Sequence, residues 1–256
     1  MRISIFQYDV EWMNPDANLL KIKKVCEILK GQTDLLILPE MFNTGFTMTP
    51  HEIPLAWQTK TINTLQDYCI EYDLTIAGSI PMNMLGKYTN TFIFVGNEGL
   101  ISTYDKIHLF TLAGENNAYS PGKSVEFVSL AGLNIQPLIC YDLRFPYVSS
   151  QNKQTDVIIY SANWPRVRVD HWKALLQARA IENQCYIIGV NRTGVDENGY
   201  EYPGKSMVFD FNGSIILEMD DTEGFITTIL NPEARIKYIE KLPFIKDRKD
   251  ILKLSS

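Results

Sequence analysis

A cysteine at the end of an apolar run is the residue of this chain best placed to act as a nucleophile. Cys140 directly follows the run Leu133–Ile139, and Pro146 comes shortly after it, near the predicted start of a new helix. A thiol at such a strand-to-helix turn is presented to a substrate with free backbone N–H groups beside it. The window by itself also allows a buried, inert cysteine, since free cysteine packs as a small hydrophobe. A nucleophilic role therefore requires partners elsewhere in the chain.

Three charged residues are candidates for those partners, because a thiol nucleophile needs a base and a group that stabilises the oxyanion. Glu40 follows the apolar run Leu35–Leu38, at the carboxyl end of a strand, where active sites of α/β proteins gather. Lys106 and Glu115 lie in the middle third of the chain. Each of the three also fits an ordinary surface role when it is taken separately. His108 is compatible with a structural role as much as with catalysis.

Alternating strands and helices must position these residues. Several strand candidates, such as Leu35–Leu38 and Val157–Tyr160, are continuously apolar, which is typical of strands buried on both faces. The strand candidates are 2–8, 34–38, 74–80, 91–96, 133–139, 156–160, 186–190, 206–210, 214–218 and 224–229, and the helix candidates are 17–30, 58–72 and 170–183. This mixture of strands and helices predicts two sheets with helices outside, a layered α/β sandwich. We expect a single domain, because no linker, repeat or low-complexity tract divides the chain.

The composition indicates the cellular compartment and the kinds of partner to expect. The chain has 256 residues, of which 45% are hydrophobic and 21% charged, as is usual for a globular protein with a sizeable core. A net charge of −6 without a basic cluster argues against nucleic acid as a partner, and no apolar run is long enough to span a membrane. The four cysteines form no C-x-x-C pair. We therefore expect a cytoplasmic protein with reduced thiols, no metal and no cofactor.

Three segments taken together resemble the signature motifs of the nitrilase superfamily of carbon–nitrogen hydrolases. They are Leu38–Phe42, Tyr104–Phe110 and Cys140–Pro146, in the same order and at similar separations. Further similar segments are Ala162–Pro165, His171–Asn183 and Asn191–Gly194. The resemblance implies a four-layer αββα sandwich of the nitrilase type, commonly assembled as a homodimer or a larger homo-oligomer. The chain would then be one domain over residues 1–256, with the segment from about residue 232 as a tail or dimer arm.

By motif position, the resemblance implies a Glu–Lys–Cys triad. Glu40 is expected to be the general base, Lys106 the cation that stabilises the tetrahedral intermediate, and Cys140 the nucleophile. Glu115 matches a second glutamate that often supports this site. Cys140 would attack an amide carbonyl, Lys106 and the backbone N–H of Tyr141 would stabilise the oxyanion, and water would hydrolyse the resulting thioester. The lysine is also expected to favour thiolate character at the sulfur.

Within the superfamily the chain resembles the ω-amidase branch, and more narrowly its bacterial 2-oxoglutaramate amidase group. The segments that carry this resemblance are Pro39–Phe46, Ala162–Pro165, Arg168 and His171–Trp172. It implies that the substrates are the small amides 2-oxoglutaramate and 2-oxosuccinamate, which water converts to the dicarboxylate and ammonia. Phe42, Tyr141 and Trp164 are the expected substrate-binding residues, although Trp164 fits the core equally well.

Arg144 has two interpretations. Its planar guanidinium suits a substrate carboxylate, but an ion pair with Asp142 or another acid, holding the turn that carries Cys140, agrees with the sequence at least as well. We assign it no substrate role.

Other functions remain open for the chain as a whole. It is alternatively a carbon–nitrogen hydrolase for a different amide, a nitrile or an N-carbamoyl compound. An acyl transferase that uses the same thioester is another possibility, as is a catalytically silent binding protein. The presence of all of Glu40, Lys106 and Cys140 argues against the silent protein.

Overall fold

The computed structural model describes residues 1–150 and 154–249. The strands are β1 (Arg2–Gln7), β2 (Leu35–Ile37), β3 (Thr75–Met84), β4 (Lys87–Gly96), β5 (Gly99–Asp105), β6 (Val128–Leu130), β7 (Leu133–Ile139), β8 (Val157–Ala162), β9 (Tyr186–Asn191), β10 (Thr193–Val195), β11 (Glu201–Pro203), β12 (Met207–Phe209), β13 (Ile215–Glu218) and β14 (Gly224–Ile229). The α-helices are α1 (Pro15–Leu29), α2 (Leu55–Tyr72), α3 (Glu115–Ala118), α4 (Pro146–Ser149), α5 (Val169–Asn183), α6 (Pro232–Lys241) and α7 (Phe244–Asp247). Short 3-10 turns cover Pro50–Glu52, Thr111–Ala113, Cys140–Arg144 and Arg166–Arg168.

Two six-stranded mixed sheets form the two middle layers. The first has the strand order β14-β1-β2-β3-β4-β5 and the second β13-β12-β9-β8-β7-β6. In each sheet the three middle parallel strands, β1-β2-β3 and β7-β8-β9, run in register with one another. Within each sheet the carboxyl ends of the parallel strands meet at one edge. Hydrogen bonds from Ser161 to Leu38 and from Asn163 to Glu40 join these two edges, so the residues after β2, β7 and β8 lie at the same end of the sandwich.

The alternation of buried side chains along the strands builds the layers. In β2, Leu35 and Ile37 face the core between the sheets, whereas Leu36 and the following Leu38 face the core shared with α1 and α2. On the other side of the molecule, α5 buries Trp172 and other apolar residues against the second sheet. The order of layers is therefore helix, sheet, sheet, helix, and the predicted αββα sandwich is confirmed.

The observed elements differ from the predicted ones mainly where side chains are exposed. The predicted helix 17–30 begins earlier, at Pro15, because Asn14 caps it by accepting a hydrogen bond from the Ala17 amide. The strands β3 and β4 extend beyond the predicted ranges into a long hairpin whose outer residues mix polar and apolar side chains without a regular alternation. The strands β6, β10 and β11, of three residues each, the edge strand β5 and the helix α6 were also missed.

The segment from residue 232 packs on its own chain. Arg235 in α6 donates hydrogen bonds to the carbonyl oxygens of Gln184 and Thr155 and forms an ion pair with Asp156 at 2.6 Å. The backbone N–H of Ile245 donates to Gln184 Oε1 at 2.9 Å. Residues 250–256 of the predicted tail lie outside the described residues, and its role as a dimer arm stays a prediction.

Two properties of the described residues bear on partners. None of their helices is long and apolar enough to cross a membrane. No group of three or more histidine, cysteine, aspartate or glutamate side chains within residues 1–150 and 154–249 has an arrangement that would hold a metal ion.

Candidate active site

Glu40 lies just beyond the carboxyl end of β2, and its side chain is completely buried. Four hydrogen bonds fix its carboxylate. Oε1 accepts from Lys106 Nζ at 2.7 Å and from Asn90 Nδ2 at 2.8 Å. Oε2 accepts from the backbone N–H of Asn163 at 2.9 Å and from its Nδ2 at 3.2 Å. A buried carboxylate needs such donors, since without them burial would strongly disfavour its charge.

Lys106 follows β5, which runs in the same direction as β2, and reaches the same end of the sandwich. Its side chain is fully buried, and Nζ contacts two carboxylates, Glu40 at 2.7 Å and Glu115 at 2.9 Å. Burial by itself lowers the pKa of Lys106, but the charges of Glu115 and Glu40 together outweigh it, so the pKa stands above its usual value. The two carboxylates therefore favour the charged form of the lysine inside the site.

Glu115 is the first residue of α3, after Gly114 in the left-handed conformation that glycine accepts readily. Besides Lys106, its carboxylate accepts hydrogen bonds from the Phe110 backbone N–H at 2.6 Å and from Asn90 Nδ2 at 3.0 Å. Burial raises its pKa, which the charge of Lys106 partly opposes. The structure thus brings the three predicted charged residues into one solvent-free cluster.

Cys140 is the first residue after β7 and has the left-handed backbone conformation, with φ of 43°. It is 9% exposed and lines a cavity, whereas the charged cluster behind it is closed to solvent. Burial and then the charge of Glu40 raise the pKa of the thiol well above its usual value, although Lys106 lowers it. Lys106 thus acts in the predicted direction, toward the thiolate, but burial and the charges of Glu40 and Glu115 outweigh it. The raised pKa favours the neutral thiol as the resting form.

Asp142 holds the turn that carries Cys140. Its buried carboxylate accepts hydrogen bonds from the backbone N–H groups of Ile139 and His108 and from the hydroxyl of Tyr104. The Nδ1 atom of His108 lies 2.9 Å from the same carboxylate, and its ring stacks on Phe145. His108 is therefore a structural partner of the turn.

The cavity in front of Cys140 has a volume of about 590 Å³. Its walls come from several loops, and the residues that line it are Phe46, Met48, Phe110, Leu112, Ala113, Tyr141, Arg144, Asn163, Trp164, Pro165, Arg168, Asp196, Asn198, Tyr200 and Tyr202. The predicted substrate-binding residues Tyr141 and Trp164 are among them. Their contact with a substrate stays a prediction.

Phe42 does not line this cavity, and the prediction for it is corrected. Its ring is completely buried in the core between the first sheet and the helices α1 and α2. There it lies so close to the backbone of Gly78 that an added Cβ would be 2.9 Å from a ring carbon. Phe46 and Met48, further along the same loop, take the place at the cavity wall.

Two arginines line the cavity without a carboxylate partner among the described residues. The guanidinium of Arg144 lies 4.8 Å above the ring of Trp164, and Nη2 is 3.3 Å from Nδ1 of His171. The guanidinium of Arg168 lies 5.6 Å above the ring of Phe110. The alternative of an ion pair between Arg144 and Asp142 is not observed, because Asp142 is occupied by the Cys140 turn.

Sequence reasoning missed two amides of the site. Asn163 was quoted only as part of a motif, and Asn90 lies in β4, outside the predicted strand 91–96. Both donate to Glu40. The only local signal for Asn90 is the polar run Thr89–Thr91 beside an apolar strand.

The model of the carbon–nitrogen hydrolase family matches residues 2–239. The chain belongs to the carbon–nitrogen hydrolase family. Among similar relatives, omega-amidase YafV of Yersinia enterocolitica is 38% identical over 99% of each chain, and that of Escherichia coli K12 is 39% identical over 96% of each. The 2-oxoglutaramate amidase of Bacillus subtilis is 32% identical, over 97% of this chain and 98% of the relative.

Solved structures support the same family and fold. A CN-hydrolase superfamily protein from Xanthomonas campestris, which has an arsenic adduct in its active site, is 32% identical with a TM-score of 0.90, covering 98% of this chain and 97% of the other. An amidase from Nesterenkonia sp. has a TM-score of 0.88 at 21% identity, covering 100% of this chain and 95% of the other, which shows the fold. The predicted membership of the carbon–nitrogen hydrolases is thus confirmed.

Proposed function

We propose that this carbon–nitrogen hydrolase is an ω-amidase that hydrolyses the terminal amide of 2-oxoglutaramate or 2-oxosuccinamate to the dicarboxylate and ammonia. The observation that carries the chemistry is a thiol at a cavity wall with Glu40, Lys106 and Glu115 buried directly behind it. The similar omega-amidases and 2-oxoglutaramate amidase support this bond and this substrate class.

In the acylation step, Glu40 accepts the proton of the Cys140 thiol as the sulfur attacks the amide carbonyl. Because the raised pKa of the thiol favours its neutral form, this proton transfer accompanies the attack. Lys106 and the backbone N–H of Tyr141 stabilise the oxyanion, and one such donor is typically worth about 3–4 kcal/mol. Glu40 then gives its proton to the leaving nitrogen. Ammonia departs, and the acyl group remains on sulfur as a thioester.

Water completes the cycle. Glu40 takes a proton from the water molecule that attacks the thioester carbonyl, and the same oxyanion donors act again. Collapse of this second intermediate releases the carboxylate and returns the proton to the sulfur. Glu115 contacts Lys106 rather than the sulfur, so it acts as a positioning residue that keeps the ammonium in place.

The cavity supports a small anionic substrate. Arg144 and Arg168 line it, whereas its single acid among the described lining residues, Asp196, already accepts hydrogen bonds from the hydroxyl of Tyr202 and the backbone N–H of Tyr200. An anion in this space therefore meets more positive than negative charge.

The test is ammonia release from 2-oxoglutaramate, run beside glutamine, a simple nitrile and an N-carbamoyl amino acid. We expect strong turnover of the keto-amide alone, and its loss in Cys140→Ala with an unchanged melting temperature. Activity on another member of the panel but not on the keto-amide would contradict the ω-amidase assignment and keep the nucleophile. Full activity of Cys140→Ala and Cys140→Ser would contradict the nucleophile.

We further propose a cytoplasmic protein whose residues 1–256 form one domain, assembled as a homodimer or larger homo-oligomer and without nucleic-acid or membrane partners. The proposed dimer arm is the segment from residue 232. Light scattering after gel filtration would measure the mass, and truncation after residue 249 would test whether the last residues contribute. A monomeric mass at micromolar concentration would contradict the oligomer.

A further inference from the structure

Arg168 is held by its backbone at the wall of the cavity. It ends the 3-10 turn Arg166–Arg168, and its N–H donates to the carbonyl oxygen of Pro165 at 3.0 Å. Its own carbonyl oxygen accepts a hydrogen bond from Trp164 Nε1 at 2.7 Å. The indole is buried, so this contact ties the turn to the core. These hydrogen bonds therefore fix the position of the Arg168 backbone, from which the side chain extends, relative to the cavity wall.

Two arginines of this same turn have different surroundings. Arg166 is neutralised outside the cavity, by Glu201 at 2.8 Å and by Asp221 at 3.9 Å. Arg168 lines the cavity and forms no ion pair with any described residue. Its guanidinium instead lies over the face of Phe110, which orients the planar group but leaves its charge without a counter-ion.

The other charged groups that line the cavity, Arg144 and Asp196, have more contacts with neighbouring side chains and backbone groups. Arg144 stacks on Trp164 and contacts the ring of His171, and the carboxylate of Asp196 accepts from Tyr202 and from backbone N–H groups. Arg168 therefore has donors left for a ligand. A guanidinium presents those donors as a planar fork, which matches the two oxygens of a carboxylate.

We infer that Arg168 binds the carboxylate at the far end of the substrate from the scissile amide, and so determines specificity for amides of dicarboxylic acids. This inference rests on the proposed function, because it takes the substrate to be an amide that carries a carboxylate. Arg168 acts in binding and orientation, with no part in proton transfer. Its loss therefore weakens the use of charged amides and leaves neutral amides unaffected.

The experiment compares two amides of the same length in three proteins. 2-Oxoglutaramate carries the carboxylate, and 4-oxopentanamide has a methyl group in its place. The variants are Arg168→Gln and, as the matched control from the same turn, Arg166→Gln. For Arg168→Gln we expect kcat/KM on 2-oxoglutaramate to fall by about 10- to 100-fold, mostly through KM, as is typical for a lost charge-assisted hydrogen bond. On 4-oxopentanamide it should change by less than about threefold.

The outcomes separate this inference from the proposed function. An equal loss on both amides would show that Arg168 only supports the loop, and no loss on 2-oxoglutaramate would place the carboxylate elsewhere; both overturn the inference. If the wild type hydrolyses neither amide, the proposed function fails, and calorimetric binding of 2-oxoglutarate decides the inference instead. Weaker binding in Arg168→Gln than in Arg166→Gln supports it, and equal binding overturns it. Arg168→Lys should recover only part of the loss, since lysine offers a point charge.

Discussion

Asn163 donates three hydrogen bonds to Glu40: from its backbone N–H to Oε2 at 2.9 Å, from Nδ2 to Oε2 at 3.2 Å, and from Nδ2 to the Glu40 carbonyl oxygen at 2.9 Å. Asn163 follows β8 of the second sheet, and Glu40 follows β2 of the first. The proposed base is therefore fixed by contact between the ends of strands from two different sheets. The neighbouring Ser161 hydroxyl reinforces this contact by donating to the Leu38 carbonyl oxygen at 2.7 Å.

The first prediction concerns Glu115 and the thiol. Burial, Glu40 and Glu115 all raise the pKa of Cys140, so Glu115→Gln removes one negative charge and lowers that pKa. We expect alkylation of Cys140 by iodoacetamide at pH 8 to become faster, while kcat falls about 10- to 1,000-fold because Lys106 loses a positioning contact. Peptide mass analysis locates the label. Glu126→Gln, a half-buried acid between Lys106 and Cys140 in sequence that accepts from the Ser124 hydroxyl, should change neither quantity. Slower alkylation in Glu115→Gln would contradict the electrostatic assignment.

The second prediction concerns Lys106. Lys106→Met leaves two buried carboxylates without their cation, and breaking such a buried pair typically destabilises a protein by about 3–5 kcal/mol. Urea unfolding measures the loss. The exposed Lys173, which pairs with Glu218 at the surface, is the control, and Lys173→Met should lower stability by less than about 1 kcal/mol.

The pH dependence of that loss has a defined sign. Burial already raises the pKa of Glu115 while Lys106 opposes the rise, so removing the lysine raises it further. A carboxyl whose folded pKa exceeds its unfolded value stabilises the fold below the unfolded pKa and loses that contribution as pH rises through the folded pKa. The deficit of Lys106→Met should thus be smaller at pH 5 than at pH 8. A deficit that grows toward pH 5 would refute the burial argument.

The third prediction concerns Asp142, which accepts hydrogen bonds from Ile139, His108 and Tyr104. Asp142→Asn replaces one accepting oxygen by an N–H₂ group that faces donors, so we expect a loss of about 2–3 kcal/mol in unfolding free energy. Because the Cys140 turn shifts with it, kcat should fall at least about tenfold. Thermal unfolding and the ammonia assay measure these effects. The exposed Asp67 on α2 is the control position. An unchanged kcat in Asp142→Asn would show that the Cys140 turn keeps its conformation without this carboxylate.

The fourth prediction concerns the close approach of β3 to the Glu40 loop. A Cβ on Gly78 would lie 2.8 Å from Cβ of Leu38 and 2.9 Å from the ring of Phe42. Gly78→Ala should therefore destabilise the protein by about 1–3 kcal/mol and reduce kcat, because the loop that carries Glu40 must move. Gly224→Ala is the matched control, since its added Cβ meets nothing closer than 3.9 Å. Equal stability of the two variants would argue against this packing.

The sequence by itself determined the family, the layer order and the four residues Glu40, Lys106, Cys140 and Glu115, which the tertiary structure places together. These features follow from the order of motifs along the chain and from apolar runs, and both are local in sequence. Their catalytic roles stay predictions until variants are assayed.

Only the tertiary structure decided which polar side chains complete the site and which way loop residues face. Asn90, Asp142 and Asn163 meet their partners across strands far apart in sequence, so the local pattern around each of them did not indicate its role in the site. Phe42 turns into the core while Phe46 reaches the cavity, because the direction of a side chain in an irregular loop depends on what packs against it. The raised pKa of the Cys140 thiol also depends on the tertiary structure, since burial and the charges of residues distant in sequence determine it.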